Sequence, residues 1–286
     1  IAFSDNLLGS APLYAMLRWA ALDRETAFQG WYVLGYALNF LAAAYVLSRW
    51  NLAPLAVGVG AFFFAFGLPL LGQEMHAQLL YRFCVPLACY FVWKMTEKGS
   101  LYDLLAVVFF TVWQFYLGIY SGVFLFLLLV GLMVLLPIFG AKMSWREYLT
   151  FWPRRVQLAW TSAPGNGRII VLSSMLLLSI AVLGLLLPYY QVTRLYGFER
   201  SWIKVARMLP LWRSFLLADR SQIWRPLSVL ISGVYARHEH QLFPGAAAIL
   251  LASIGLVWSG YLRKSALVLA SFFVIILLVT LTFSYH

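Results

Sequence analysis

Charge is what this sequence has least of. Asp, Glu, Lys and Arg together make up 11% of it, less than half of the roughly 25% usual in a soluble globular domain. Against that scarcity stand 63% hydrophobic residues and a mean hydropathy of +0.83. These values exclude a soluble fold and point to a polytopic membrane protein. Cysteine is nearly absent as well. Cys84 and Cys89 lie five positions apart in an apolar block, which on a helix turns them away from each other. They read as small core residues and match neither a disulfide framework nor a metal site. No repeat with a period of roughly 20 to 50 residues stands out.

Acidic residues are the scarcer sign, 10 against 21 basic, for a net charge of +11. In a chain this apolar, the commoner cause is the Lys and Arg excess that holds cytoplasmic loops inside, with attraction to anionic lipid or phosphate. Membrane lipids are therefore expected partners and nucleic acid is not.

What is present is one alternation of apolar blocks and polar joints over residues 1–286, read as a single all-α transmembrane domain. A spanning helix needs about 20 mostly apolar residues. Eight blocks qualify or nearly do: Thr26 to Ser48, Leu52 to Leu71, Leu79 to Trp93, Leu101 to Leu117, Ile119 to Phe139, Ile169 to Leu187, Phe243 to Leu262 and Ala266 to Phe283. The third and fourth are short. The chain opens on Ile1 in a polar stretch and stops at His286 after an apolar run, so it is expected to be an internal piece of a longer protein.

Orientation follows from the joints. Arg49, Lys94 with Lys98, Lys142 to Arg168, and Arg263 with Lys264 alternate in parity with the rest and hold ten basic residues. The opposite joints are Ile1 to Glu25, Gln73 to Gln78, the turn at Gly118 and the long loop Pro188 to Leu242. The short ones contain only Arg18, Arg24 and, at the edge, Arg82. The positive-inside rule puts the first set in the cytoplasm. Residues 1–25 then form a first outer loop, and an odd number of spans is expected before residue 1. In that loop Ser10 can cap a short amphipathic helix with Pro12 in its early turn, and Leu13, Met16, Leu17 and Ala20 share a face. The cytoplasmic stretch from Ala141 to Arg168 mixes Trp with Arg and is expected to be a helix on the inner leaflet followed by a loop.

The polar residues able to do chemistry collect outside. Asp5, Asp23, Glu25, Glu74, Glu199, Asp219 and Glu239 fall on the outer side, and so do His76, His238 and His240. Glu74 and His76 could move a proton or bind a metal near neutral pH, or could be polar joint residues at the headgroups. His238 and His240 flank Glu239 and would share one face of a strand, although an isolated H-x-H also commonly ends a loop. Arg and Trp alternate through the long loop, which suits headgroup anchoring. Asn39, in mid-span, reads as an interhelical hydrogen-bonding residue, and Asp103 as a helix N-terminal charge.

Several stretches carry a likeness: SDNLLGSAPLYAMLRWAALDRETAFQGW, GQEMHAQL, QFYLGIYSG, LPYYQVTRLYGFERS and HEHQLFPG. Together they resemble uncharacterised bacterial proteins of the GT-C glycosyltransferase superfamily. That resemblance implies a multi-pass enzyme of the bacterial inner membrane, active on its extracytoplasmic face, that uses a polyprenyl-phosphate sugar as donor. It also implies an acid in the first outer loop that activates the acceptor hydroxyl, and Asp5 occupies that position. Taking the acceptor proton needs a carboxylate within reach. The leaving phosphate needs cationic stabilisation, for which Arg82, Arg194, Arg200 and His76 are candidates. A divalent metal is allowed, but no ligand spacing demands one. Two other classes stay open: a lipid or glycolipid transporter, which would want polar residues in mid-span beyond Asn39 and Gln114, and a non-catalytic subunit of a membrane complex.

Overall fold

A computed structural model describes residues 6–73, 76–140, 143–197, 201–258 and 265–281, and among these every regular element is helical. The first described segment forms α1 (Ala11–Trp19). Pro12 sits in its first turn, where a missing N–H costs nothing. Ser10 does not cap it as expected: its hydroxyl donates to the Leu7 carbonyl at 3.1 Å. The packed face is also shifted, because Leu13, Tyr14 and Leu17 dock on the bundle while Met16 and Ala20 stay exposed.

Next comes α2 (Arg24–Ser48), begun by Asp23, whose carboxylate accepts the Glu25 and Thr26 backbone N–H groups at 2.9 Å each. The second apolar block splits into α3 (Pro54–Phe66) and α4 (Leu68–Gly72), because Pro69 cannot continue a helix and Gly67 takes an extended conformation before it. The third block departs most from expectation. Residues 77–79 make a single 3-10 turn, residues 80–83 are not helical, and α5 runs only from Cys84 to Glu97. The fourth and fifth match closely: α6 (Leu101–Leu117) and α7 (Ile119–Gly140), joined by Gly118 alone. Ser100 and Asp103 close a reciprocal capping box at the start of α6, and Lys94 adds an ion pair to Asp103 at 2.7 Å.

The basic stretch after α7 forms the expected helix, α8 (Trp145–Ser162). Then α9 (Gly165–Tyr196) extends beyond its apolar block and straight through Pro188, ending at Gly197 with φ +60°. The long loop consequently starts at residue 197, not at 188. It contains α10 (Trp202–Met208), α11 (Arg225–Ser228) and two 3-10 turns, Trp212–Leu216 and Arg237–His240. The last two blocks form α12 (Ala246–Trp258) and α13 (Ala266–Leu281).

Among the described residues, α2, α3 with α4, α7 and α9 are long and apolar enough to cross a membrane, and α6, α12 and α13 contribute shorter apolar helices. Apolar side chains of α9 such as Leu176, Leu177, Ile180 and Leu183 point outward, which in water would be untenable and in hydrocarbon is favourable. Three buried clusters hold the helices together. Trp31, Leu80, Tyr81, Phe83, Cys84 and Leu117 pack at one end of the bundle. Ala88, Val92 and the leucines of α7 meet Ala270 and Val274 of α13. Met95, Leu101, Ala159 and Val171 tie α5, α6, α8 and α9 at the opposite end.

The helix break at residues 80–83 is the feature that shapes this first end of the bundle. Non-helical backbone at membrane depth must find partners inside the protein. Asn39 supplies two: its Nδ2 donates to the Leu80 carbonyl at 2.7 Å, and its Oδ1 accepts the Arg82 N–H at 2.8 Å. Gln114 donates to the Tyr81 carbonyl at 3.0 Å and to Ser121 Oγ at 2.9 Å. Tyr81 in turn donates its hydroxyl to the Trp31 carbonyl at 2.6 Å. Asn39 is thus a buried hydrogen-bonding residue as its position suggested, but its partners are the non-helical backbone of residues 80–82, not a second helix.

Candidate functional site

Four joints meet at one end of the bundle. Asn6 Nδ2 donates to the Phe115 carbonyl at 3.3 Å, Gly9 N–H to the Tyr116 carbonyl at 2.7 Å, and Trp113 Nε1 to the Gly9 carbonyl at 3.1 Å. A Cβ on Gly9 would stand 2.9 Å from the Leu117 nitrogen, so only glycine lets this segment lie so close to the end of α6. The α6–α7 turn next faces the third block, since a Cβ on Gly118 would lie 3.2 Å from the Gln78 carbonyl oxygen. Gln78 and Gln73 then bracket His76.

His76 is the centre of the arrangement. Its Nε2 lies 3.1 and 3.0 Å from the two carboxylate oxygens of Glu239, 163 positions away in the chain. The Gln78 amide approaches its Nδ1 at 3.4 Å. An amide donor there leaves Nδ1 as acceptor and puts the ring proton on Nε2, directed at Glu239. Gln73 Nε2 donates to the Glu239 backbone carbonyl at 2.9 Å, and a Cβ on Gly72 would fall only 2.6 Å from Gln241 Cβ. His238 brings its Nε2 to 3.4 Å from Glu239. The pair is accessible without being bathed in solvent: the side chains of His76 and Glu239 are 32% and 28% exposed, that of His238 78%.

One 3-10 turn, Arg237–His240, presents these groups, so His238 and His240 do not share a face of a strand as expected. Ala236 precedes the turn with φ +45°, a left-handed conformation costing a non-glycine residue on the order of 1 kcal/mol. The turn is held from behind by Asp219. Arg237 donates to both carboxylate oxygens at 2.7 Å, Ser228 Oγ donates at 2.6 Å and Gln241 Nε2 at 3.0 Å. The Arg237 guanidinium holds the Asp219 carboxyl down at about 2, against the penalty of burial. His240 points inward and is buried. Leu211 N–H donates to Ser214 Oγ at 3.0 Å, which leaves that hydroxyl to donate to His240 Nδ1 at 2.8 Å. Burial depresses the His240 ring below the ordinary histidine range, keeping it neutral, and the Glu239 charge opposes this only in part.

Of the residues proposed from the sequence, the structure brings His76, His238 and Glu239 into direct contact, with His240 on the same turn. Arg82 is adjacent in the chain but turns inward. Its Nη2 donates to the Phe64 carbonyl at 3.0 Å, the guanidinium lies 5.4 Å from the Phe64 ring centre, and Nε is buried with no hydrogen-bond partner among the described residues. Arg194 lies over the Tyr190 ring of its own helix at 6.0 Å. Asp5, Glu74 and Arg200 lie outside the described residues. Among the described residues there is no group of three or more His, Cys, Asp or Glu side chains able to hold a metal ion. The supporting residues Gln73, Gln78, Ser214, Asp219, Arg237 and Gln241 were not singled out from the sequence. The two glutamines flanking His76 were the available signal, since amides beside a histidine fix its tautomer.

No protein-family model, curated protein or solved structure matches this chain. The site must therefore be interpreted from its own geometry. A histidine donating to a carboxylate, with its other nitrogen turned to an amide, can pass or hold a proton at the membrane surface. A desolvated guanidinium whose Nε has no hydrogen-bond partner among the described residues, two residues beyond the helix break's start, offers an anion a strong partner.

Proposed function

We propose that the chain is a membrane glycosyltransferase of the GT-C type, moving a sugar from a polyprenyl-phosphate donor to an acceptor hydroxyl on the extracytoplasmic face of a bacterial inner membrane. The observation that carries this reading is the His76–Glu239 pair, which unites two outer joints 163 residues apart. Arg82 lies six positions along the same joint with an unpartnered Nε. In the transfer, the acceptor oxygen attacks the anomeric carbon and its proton passes to a carboxylate. The bond from that carbon to the phosphate oxygen breaks, and its electron pair leaves with polyprenyl phosphate. Asp5 is assigned as the base; its chain neighbour Asn6 is fastened to Phe115. Arg82 and His76 are assigned to the leaving phosphate, whose growing charge a guanidinium stabilises best away from water. Glu74, Arg194, Arg200 and His238 remain candidates for binding the donor.

The transporter reading receives less support. A path for a polar headgroup needs polar side chains free to face it in mid-span. The amides of Asn39 and Gln114 instead bond the backbone of residues 80–82.

The test is sugar transfer by the full-length protein in lipid nanodiscs, supplied with undecaprenyl-phosphate carrying a radiolabelled hexose or pentose. Wild type is expected to release undecaprenyl phosphate and label an acceptor, with Asp5→Asn and Glu239→Gln each lowering turnover about 100-fold. Undiminished turnover in Asp5→Asn would remove that residue from the mechanism. Failure of wild type to bind or cleave any such donor would overturn the reading as a whole.

A further inference from the structure

At the opposite end of the bundle, α8 turns one cation inward. Its docked stripe runs through Tyr148, Trp152, Arg155 and Ala159. Tyr148 Oη donates to the Val134 carbonyl at 3.2 Å, Trp152 Nε1 to the Met133 carbonyl at 2.7 Å, and Ala159 is buried. Arg155 sits half-buried within that stripe and reaches the Glu97 backbone carbonyl. A guanidinium has five N–H donors, so this bond leaves donors over. They border a cavity of about 450 Å³ lined by Glu97, Lys98, Gly99, Arg155, Leu158, Thr161 and Ser162. Arg168 holds the end of α8 beside it, donating from Nε to the Trp160 carbonyl at 2.9 Å and from Nη2 to the Thr161 carbonyl at 3.2 Å. Among the described residues, neither Lys98 nor Arg155 has an ion-pair partner.

We propose that this cavity binds the headgroup of an anionic phospholipid of the phosphatidylglycerol kind. Two cations, Lys98 and Arg155, line it and match phosphodiester oxygens; the Thr161 and Ser162 hydroxyls beside them donate to the Gln157 and Ala159 carbonyls at 3.0 and 3.2 Å. The Glu97 carboxylate, which would repel a bare phosphate, accepts hydrogen bonds from the glycerol hydroxyls of such a headgroup. Leu158 lines the same cavity yet is 61% exposed, giving acyl chains an apolar edge to follow. Basic pockets at the cytoplasmic ends of spanning helices are where anionic lipid is held, and the basic joints place this end there. The inference stands apart from the glycosyltransferase reading, because it concerns the other end of the bundle.

Binding is measured on the full-length protein in neutral detergent, as the rise in apparent unfolding temperature on titration with phosphatidylglycerol, phosphatidylcholine or sodium phosphate. Phosphatidylglycerol alone is expected to saturate. Lys98→Gln and Arg155→Gln are each expected to weaken it about five-fold, and Arg146→Gln, elsewhere on α8, by less than about two-fold. Arg155 also holds the Glu97 carbonyl, so its loss could act through folding; Lys98 makes no such bond, and Lys98→Gln decides. Equal stabilisation by sodium phosphate would overturn a lipid site. Equal losses in Lys98→Gln and Arg146→Gln would overturn the pocket in favour of diffuse charge.

Discussion

The Oδ1 atom of Asn39 accepts the backbone N–H of Arg82 at 2.8 Å, while its Nδ2 donates to the Leu80 carbonyl at 2.7 Å. One side chain on α2 thereby replaces the partners that a continuous helix would have given the third apolar block. Asn39→Leu leaves both backbone groups unpaired, at a cost on the order of 1–3 kcal/mol each. Asn39→Asp keeps the acceptor and loses the donor, so it should fall between. Unfolding of the full-length protein in detergent measures the order, and a wild-type value for Asn39→Leu would dismiss the arrangement.

Gly9 and Gly58 offer a contrast in one residue type. A Cβ at Gly9 would press on the backbone of Tyr116 and Leu117 at 2.9 Å, whereas nothing lies within 4 Å of one at Gly58. Gly9→Ala is expected to destabilise by about 1–3 kcal/mol through overpacking and to speed tryptic cleavage at Arg18 and Arg24. Gly58→Ala, inside α3, should stabilise by roughly 0.5–1 kcal/mol. Equal effects at the two positions would mean that the first outer segment does not dock on α6.

Two groups behind the site set the acid limb of stability. Burial lowers the His240 pKa in the folded protein. Its contribution is therefore complete above the ordinary value of 6.5 and lost as pH falls below that. His240→Asn should flatten stability between pH 7 and 5. Asp219 acts lower down: its folded pKa of about 2 against 3.8 means stability present above 3.8 and lost as pH falls toward 2. Asp219→Asn should cost about 1.5–3 kcal/mol at neutral pH, the worth of hydrogen bonds to a charged group. Unfolding temperature against pH tests both variants.

Topology is checked by labelling. Tyr120 and Trp145 are both exposed, at 58% and 71%, and lie at the starts of α7 and α8. An impermeant maleimide on intact cells should modify Tyr120→Cys and spare Trp145→Cys until the membrane is opened. The native Cys84 and Cys89 are buried and half-buried and should react slowly. The reverse pattern would turn Asp5 and His76 to the cytoplasm.

Apolar run length located the helices well where a block was bounded by turn or cap residues. Leu101 to Leu117 came out unchanged because Ser100 caps one end and Gly118 ends the other. The third block misled for a physical reason: Leu79 to Phe83 carries four large apolar or aromatic residues around Arg82, yet its backbone bonds run to Asn39 and Gln114. Pro86 was the overlooked clue, since it falls in the first turn of α5, where a proline is tolerated. Pro188 misled in the other direction, because α9 passes through it. At the site, His76, Glu239 and His238 were visible as scarce ionisable residues on one side. Their pairing was not, because nothing local joins positions 163 apart. The amides and the Asp219–Arg237 pair that orient them look, in sequence, like any polar loop.

Consecutive side chains of the Arg237–His240 turn go to different destinations: Arg237 to Asp219, His238 outward, Glu239 to His76 and His240 to Ser214. Replacing one of them disturbs one neighbour. Adding or deleting a residue would offer every neighbour the wrong side chain at once. Over evolutionary time the turn should consequently drift in spelling far more freely than in length, and insertions in related chains should accumulate elsewhere in the loop that follows α9.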